Sequence, residues 1–205
     1  MTQDPLMNIH GGIRTMIPAV RISKLAQLCA TVPDGCFVEC GVWRGGCLAV
    51  LASIAHDEGK GRAIYGFDSF EGLPELAPQD DKHGQEYVGC CKATQEDVLE
   101  TFTTWGVSLD NTTLVPGWFE DSVPATYEDM PPIAVLRLDG DWYESTRVCL
   151  EYLYPKLVPG GVVILDDYLT WKGCTVATDE YREKHGIESE IMVTDPLGEV
   201  WWRKE

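Results

Sequence analysis

The sequence predicts an α/β fold: a seven-stranded, mostly parallel sheet with one antiparallel strand and helices on both faces. Three observations predict it. Short continuous apolar runs, Cys36-Phe37-Val38, Ala63-Ile64-Tyr65-Gly66-Phe67, Ile133-Ala134-Val135-Leu136 and Val162-Val163-Ile164-Leu165, read as strands buried on both faces. Segments with helical spacing alternate with them, the arrangement that gives parallel pairing. Acids stand at or just past the carboxyl ends of these runs: Glu39, Asp68, Asp139 and the pair Asp166-Asp167. Open parallel sheets bind ligands in the crevice beyond those ends. The five acids therefore describe a site, and one that wants cations.

The elements follow in order. Ile22, Leu25, Leu28 and Cys29 recur at helical spacing within residues 18–31, a helix that stops at Pro33-Asp34-Gly35. The first strand runs to Glu39-Cys40, and Gly45-Gly46 opens a helix through about Ala55. The second strand ends at Asp68. Residues 69–92, rich in Gly, Pro, Asp and Gln, read as a long loop, and such loops inside compact domains are usually functional, often lids. A helix is expected from about Thr94 to Trp105, a third strand at Thr112–Val115, a fourth ending at Asp139, and a helix over about 144–155. Pro159-Gly160-Gly161 reads as a turn before the fifth strand, and a helix follows near 172–184. Ile187–Val193 and Glu199–Arg203 read as two last strands around Asp195-Pro196-Leu197-Gly198, a hairpin-type connection.

At 205 residues a single domain, 1–205, is expected, with an N-terminal lid or helix in 1–33 and a substrate loop in 69–92. The net charge of −17 argues against nucleic acid or an anionic membrane surface as partner. No stretch approaches the ~20 apolar residues of a membrane span. Met1-Thr2-Gln3-Asp4-Pro5 shows no secretory pattern. The eight cysteines contain no C-x-x-C, so they read as reduced thiols of a cytoplasmic protein. The helix at 18–31 and Trp201-Trp202 could serve a homo-oligomer interface or the core.

Glu39-Cys40-Gly41-Val42-Trp43-Arg44-Gly45-Gly46 joins a strand to a helix. A dinucleotide fingerprint would carry its second Gly where Trp43 stands. An acid before the loop would repel a pyrophosphate, and it suits a ligand with an amino group and a sulfonium. Asp68, ending the second strand, can accept both ribose hydroxyls. Asp139, Asp141, Asp166 and Asp167 end neighbouring strands in this layout. Carboxylates so crowded repel unless a cation lies between them, and all-oxygen ligands favour Mg²⁺, Ca²⁺ or Mn²⁺. The alternative is that some are helix caps or solvated strand ends, Asp141 foremost.

The layout is that of class I S-adenosylmethionine (SAM) methyltransferases. The segments Arg14-Thr15-Met16, Glu39–Gly46, Phe67–Pro74, Gly117–Ser122, Leu136–Thr146 and Pro155–Tyr168 together resemble the macrocin O-methyltransferase family, metal-dependent enzymes of antibiotic tailoring. The resemblance implies that Asp139, Asp166 and Asp167 hold Mg²⁺. It implies that Glu39, Gly41, Gly45, Asp68 and Ser69 bind SAM. Trp118, Asp121 and Ser122 would lie at the adenine, and Thr15 and Met16 would close over the methionine end. Asp139 would be both ligand and base. The more distant catechol O-methyltransferases use a lysine three residues after the first metal aspartate, where this chain has Trp142.

The reaction so implied is in-line displacement of a methyl group from the sulfonium by a small-molecule hydroxyl, a sugar or a phenol. It needs alignment more than covalent help. His83 and His10 are alternative bases, and Trp43, Trp142 and Trp171 could wall the cavity. Two other readings compete. Asp139-Gly140-Asp141 resembles the D-x-D of metal-dependent glycosyltransferases and, loosely, of aspartyl-phosphate phosphatases. A non-catalytic SAM-binding protein would keep the loop without needing the metal acids.

Overall fold

The computed structural model describes residues 14–205. Seven strands form one sheet: β1 Cys36–Cys40, β2 Ile64–Asp68, β3 Thr112–Pro116, β4 Ile133–Leu138, β5 Leu157–Leu165, β6 Met192–Val193 and β7 Val200–Arg203. Their order is β3-β2-β1-β4-β5-β7-β6. β1 to β5 pair in parallel, and β7 is antiparallel to both β5 and β6. Among the described residues six α-helices accompany them: α1 Ala19–Cys29, α2 Gly46–Glu58, α3 Gln95–Trp105, α4 Phe119–Thr126, α5 Tyr143–Leu153 and α6 Lys172–His185.

Strand side chains alternate between two faces, and each face has its own core. Phe37, Val135 and Ile164 meet Ile22 and Leu25 of α1, Leu48 and Leu51 of α2, and Phe102 of α3. Val38, Leu136 and Val163 meet Val123 of α4, Leu150 of α5 and Tyr181 of α6. Burial of both faces is why these strands read as unbroken apolar runs. Trp202 is fully buried, its Nε1 donating to the Tyr154 hydroxyl at 3.2 Å, so it is core. Six cysteines are buried, Cys90 and Cys91 are exposed, and all eight are free. No helix of the described residues is long and apolar enough to cross a membrane.

Four local expectations are corrected. Pro159-Gly160-Gly161 lies inside β5, not before it. The register jumps from Ile133↔Leu157 to Val135↔Val162, and Lys204 pairs with Gly160 and Gly161, so these residues are a bulge that keeps the strand paired. β6 is only two residues long. The chain leaving α6 through left-handed Gly186 is tied back to that helix, Ile187 N–H to Arg182 O at 2.9 Å and Arg182 Nη2 to Ser189 O. α4, which carries Pro124 inside it, was not expected. A 3₁₀ turn, Lys82–Tyr87, lies within the 69–92 loop. His10 lies outside the described residues.

Candidate active site

β1 and β4 are neighbours whose connections leave in opposite directions, the topological switch point where such sheets bind ligands. A cleft of about 630 Å³, including its open mouth, lies over their carboxyl ends. The loop after β1 is laid tightly across it. Gly41 has φ 94°, and a Cβ there would come within 1.9 Å of the Asp139 carbonyl oxygen. Only glycine lets the two strand ends pass so closely. Trp43, where a dinucleotide fingerprint would have glycine, has φ 47°. Its N–H donates to Asp68 Oδ2 at 2.7 Å, and Phe70 N–H donates to Asp68 Oδ1 at 2.7 Å. Asp68 is thus fixed by the loops on both sides, with the Val42 backbone N–H also turned toward it, and a carboxylate can accept about four hydrogen bonds. Of the five non-glycine residues with positive φ among those described, Trp43, Cys91 and Asp141 line this cleft and Phe70 braces Asp68. Left-handed backbone concentrated at one place marks a functional site.

The acids of the rim are partly neutralised from within. Arg137, 1 % exposed on β4, donates to Glu39 Oε1 at 3.0 Å, Asp139 Oδ2 at 2.9 Å and Asp166 Oδ1. Arg21 of α1 reaches Asp166 Oδ2 from the other side and holds Asp195 through Nε at 2.6 Å. Asp166 therefore has a guanidinium on each oxygen. Burial still pushes its carboxyl up to about 6, with Asp139 adding to the shift and the arginines opposing it. Burial likewise pushes Glu39 up to about 7, against the pull of Arg137. Glu39 Oε2 is buried with no hydrogen-bond partner among the described N and O atoms, and the Cys47 thiol lies beside it.

Asp167 and Asp141 are held by no guanidinium among the described residues. Asp167 Oδ2 accepts the Asp141 N–H at 3.1 Å. Burial, then the charge of Asp141, drives the Asp167 carboxyl well up. Burial and Asp139 push Asp141 up to about 7, a hydrogen bond from Trp171 opposing. One carboxylate oxygen each from Asp139, Asp166 and Asp167 lies within 4.8 Å of the others. Oxygens spanning one hard divalent cation lie about 3–5 Å apart, so the donor set fits, and the excess negative charge is what such an ion would relieve.

The expected residues fall into two groups. Met16, Gly41, Asp68, Ser69, Trp118 and Asp139 line the cleft, and Thr15, Met16 and Glu39 line its narrow extension. Thr15 is pressed onto Gly46, where a Cβ would meet it at 2.6 Å. Gly45 packs instead on Val98 of α3. Asp121 is exposed, and Ser122 is buried with its hydroxyl donating to Gly117 O at 3.2 Å; Phe119 and Glu120 line the cleft beside Trp118. Trp43 walls the cleft, whereas Trp142 is buried behind the 69–92 loop. Asp141 lines the cleft and does not cap α5, whose N-cap is Trp142. His83 is exposed and stacked on Trp171, ring centroids 5.2 Å apart. Arg21 and Arg137 were missed. The available signal was a charged residue at a position whose neighbours on the same face are apolar.

This fold and site define a class I, Rossmann-like methyltransferase. Residues 11–204 match the model of the macrocin-O-methyltransferase (TylF) family, and the chain belongs to that family. It is 36% identical over 201 residues to demethyldecarbamoylnovobiocin O-methyltransferase of Streptomyces niveus, covering 92% of this chain and 75% of the relative. It is 37% identical to 8-demethyl-8-(2,3-dimethoxy-alpha-L-rhamnosyl)-tetracenomycin-C 4'-O-methyltransferase of Streptomyces olivaceus, with the same coverage. The solved structure of the O-methyltransferase NovP superposes with a TM-score of 0.83 at 32% identity, over 94% of this chain and 83% of that one. The glycosyltransferase, phosphatase and non-catalytic readings are thereby set aside.

Proposed function

We propose that the protein transfers the methyl group of SAM to a hydroxyl of a small natural product, with a divalent cation, Mg²⁺ by preference, at Asp139, Asp166 and Asp167. One observation carries this reading: a single cleft is lined both by Asp68, wired into the glycine loop, and by Asp139 and the arginine-free Asp141, whose N–H donates to the buried Asp167. The names of the relatives, a demethyldecarbamoylnovobiocin and a rhamnosyl tetracenomycin-C O-methyltransferase, favour a sugar or phenolic acceptor on a secondary metabolite.

Bound SAM would supply the activated methyl group, and a bound cation would acidify a coordinated hydroxyl. The chain's own groups do the rest. Glu39 Oε2, buried with only the Cys47 thiol beside it among the described residues, suits the ammonium of the methionine end. Asp68 retains acceptor capacity for the ribose hydroxyls. Met16 and Trp43 line the cleft and would pack against the bound cofactor. Asp139 is held by Arg137, so Asp141 is the better proton acceptor: it lines the cleft and no guanidinium holds it. Its carboxylate takes the proton of the acceptor hydroxyl. The lid-or-helix role for residues 1–33 and the substrate role for 69–92 belong to the same proposal.

The test is calorimetric titration of SAM and S-adenosylhomocysteine with Mg²⁺ and with excess chelator, alongside turnover of glycosylated or phenolic acceptors. SAM binding that survives chelation, with turnover that does not, is the expected result. No SAM binding in either condition sinks the cofactor assignment, and turnover in chelator sinks the metal.

A further inference from the structure

We propose that the consecutive aspartates Asp80 and Asp81 clamp the two acid-bearing loops at a fixed spacing and are positioning residues for the metal end of the site. The inference rests on the reading that Asp139, Asp166 and Asp167 hold a divalent cation.

α5 follows the loop that carries Asp139 and Asp141, and α6 follows the loop that carries Asp166 and Asp167. Their N-caps are Trp142 and Trp171, and neither helix has a side-chain cap of its own. Indole has no acceptor oxygen, so the first N–H of each helix needs a partner from elsewhere. The 69–92 loop supplies both. Asp80 Oδ1 accepts the Tyr143 N–H at 2.8 Å, and Asp81 Oδ2 accepts the Lys172 N–H at 3.0 Å. These are the first residues of α5 and α6, where negative charge also meets the positive end of the helix dipole.

The clamp is stiff. Asp80 is 7 % exposed, its Oδ2 accepts the Ala77 N–H at 2.8 Å, and its own N–H donates to Ala77 O at 3.0 Å. It also fits closely against α6, since a Cβ on Gly173 would lie 1.7 Å from Asp80 Oδ1. Below it Trp142 and Trp171 meet edge to face at 4.8 Å, and Trp142 Nε1 donates to Pro74 O at 3.1 Å. Two adjacent residues that cap two helices cannot keep both bonds if the loops feeding those helices move apart. The 69–92 loop is in this view a fixed brace over the metal acids.

The experiment compares the full-length wild type with Asp80→Ala, Asp81→Ala, the double variant, and Asp81→Asn, whose amide oxygen still accepts the Lys172 N–H. Mn²⁺ and SAM affinities are measured by calorimetry, with hydrogen exchange at the Tyr143 and Lys172 amides and kcat against KM for SAM. The double alanine variant is expected to lose protection at both amides and about tenfold or more in Mn²⁺ affinity. Its kcat falls while SAM affinity is unchanged, and Asp81→Asn keeps most of what Asp81→Ala loses. Unchanged Mn²⁺ affinity, equal loss of Mn²⁺ and SAM binding, or an Asp81→Asn variant no better than Asp81→Ala would overturn the clamp. A wild type that binds no Mn²⁺ overturns the metal reading instead. The exchange data then decide the clamp alone: lost protection sustains it, and retained protection ends it.

Discussion

Glu39 on β1 and Arg137 on β4 are register partners in the parallel ladder, and their side chains meet at 3.0 Å with each 1 % exposed. The pair places a permanent positive charge beneath the crevice, and the same guanidinium serves Asp139 and Asp166. The rim can therefore gather acids from β1, β4 and β5 without a metal ion to offset all of them. What this balance leaves over is the charge of Asp141 and Asp167, at the end where the cation is proposed.

Replacing Arg137 with Met should be among the most damaging single changes. It strands Glu39 and Asp139 and leaves Asp166 with Arg21 alone, and breaking a buried pair from one side costs about 3–5 kcal/mol. In a domain of this size each kcal/mol moves Tm by about 2–4 °C, so thermal unfolding should show a fall of roughly 10 °C or more, or no folded protein. A shift of only a degree or two would show that the network contributes little.

Asp141 and Asp167 should behave in the opposite way. Their carboxyls are pushed up, Asp141 to about 7, chiefly by burial, then by the charge of Asp139 at Asp141 and by those of Asp141 and Asp139 at Asp167. A folded-state pKa above the unfolded value means the native protein takes up protons first, so these groups add stability as pH falls through 7 toward 4. Metal-free protein should therefore melt higher at pH 6 than at pH 8. Asp141→Asn and Asp167→Asn should each raise Tm of the metal-free protein at pH 8 while reducing turnover at least ~100-fold. A lower Tm in both variants would contradict the charge-crowding argument.

Gly41 offers a backbone test. Gly41→Ala places a methyl group against the Asp139 carbonyl at a φ of 94°, whereas Gly59→Ala has φ 66° and nothing within 4 Å. Both share the cost of a left-handed alanine, about 1 kcal/mol. Only the first must also push β1 and β4 apart at the site, for a total loss of at least ~3 kcal/mol. Urea unfolding of the two variants measures the difference, and equal losses would show that the strand ends yield easily.

The parallel strands were legible because burial on both faces writes unbroken apolar runs, and the acids because they end those runs. The same habit hid Arg137, which stands just past Ile133–Leu136 and finds its partners only once β1 lies beside β4. Arg21 was hidden on the apolar face of α1, with its partners 145 and 174 residues away. Asp80 and Asp81 cap helices 63 and 91 residues distant, which no local spacing announces. Asp121 and Ser122 sit in a matching motif, yet the turn of α4 gives the cleft to Phe119 and Glu120. The helix itself, with Pro124 inside it, went unseen.

The affinity for SAM should depend on pH through Glu39. Burial holds this carboxyl near 7 despite Arg137, so much of it is protonated at pH 6 and ionised at pH 8. An ammonium group is bound by the carboxylate form and not by the acid. Binding should therefore tighten as pH rises through 7, approaching about tenfold per pH unit well below the pKa and levelling above it. Calorimetry at pH 6, 7 and 8 in buffers of different ionisation enthalpy should also detect a proton released on binding at pH 6. Glu39→Gln should flatten the profile and weaken binding at pH 8 while leaving Asp68 and the glycine loop in place. A wild-type profile that is flat from pH 6 to 8 would mean that Glu39 does not face the ammonium, and its role would then be the pairing of Arg137 alone.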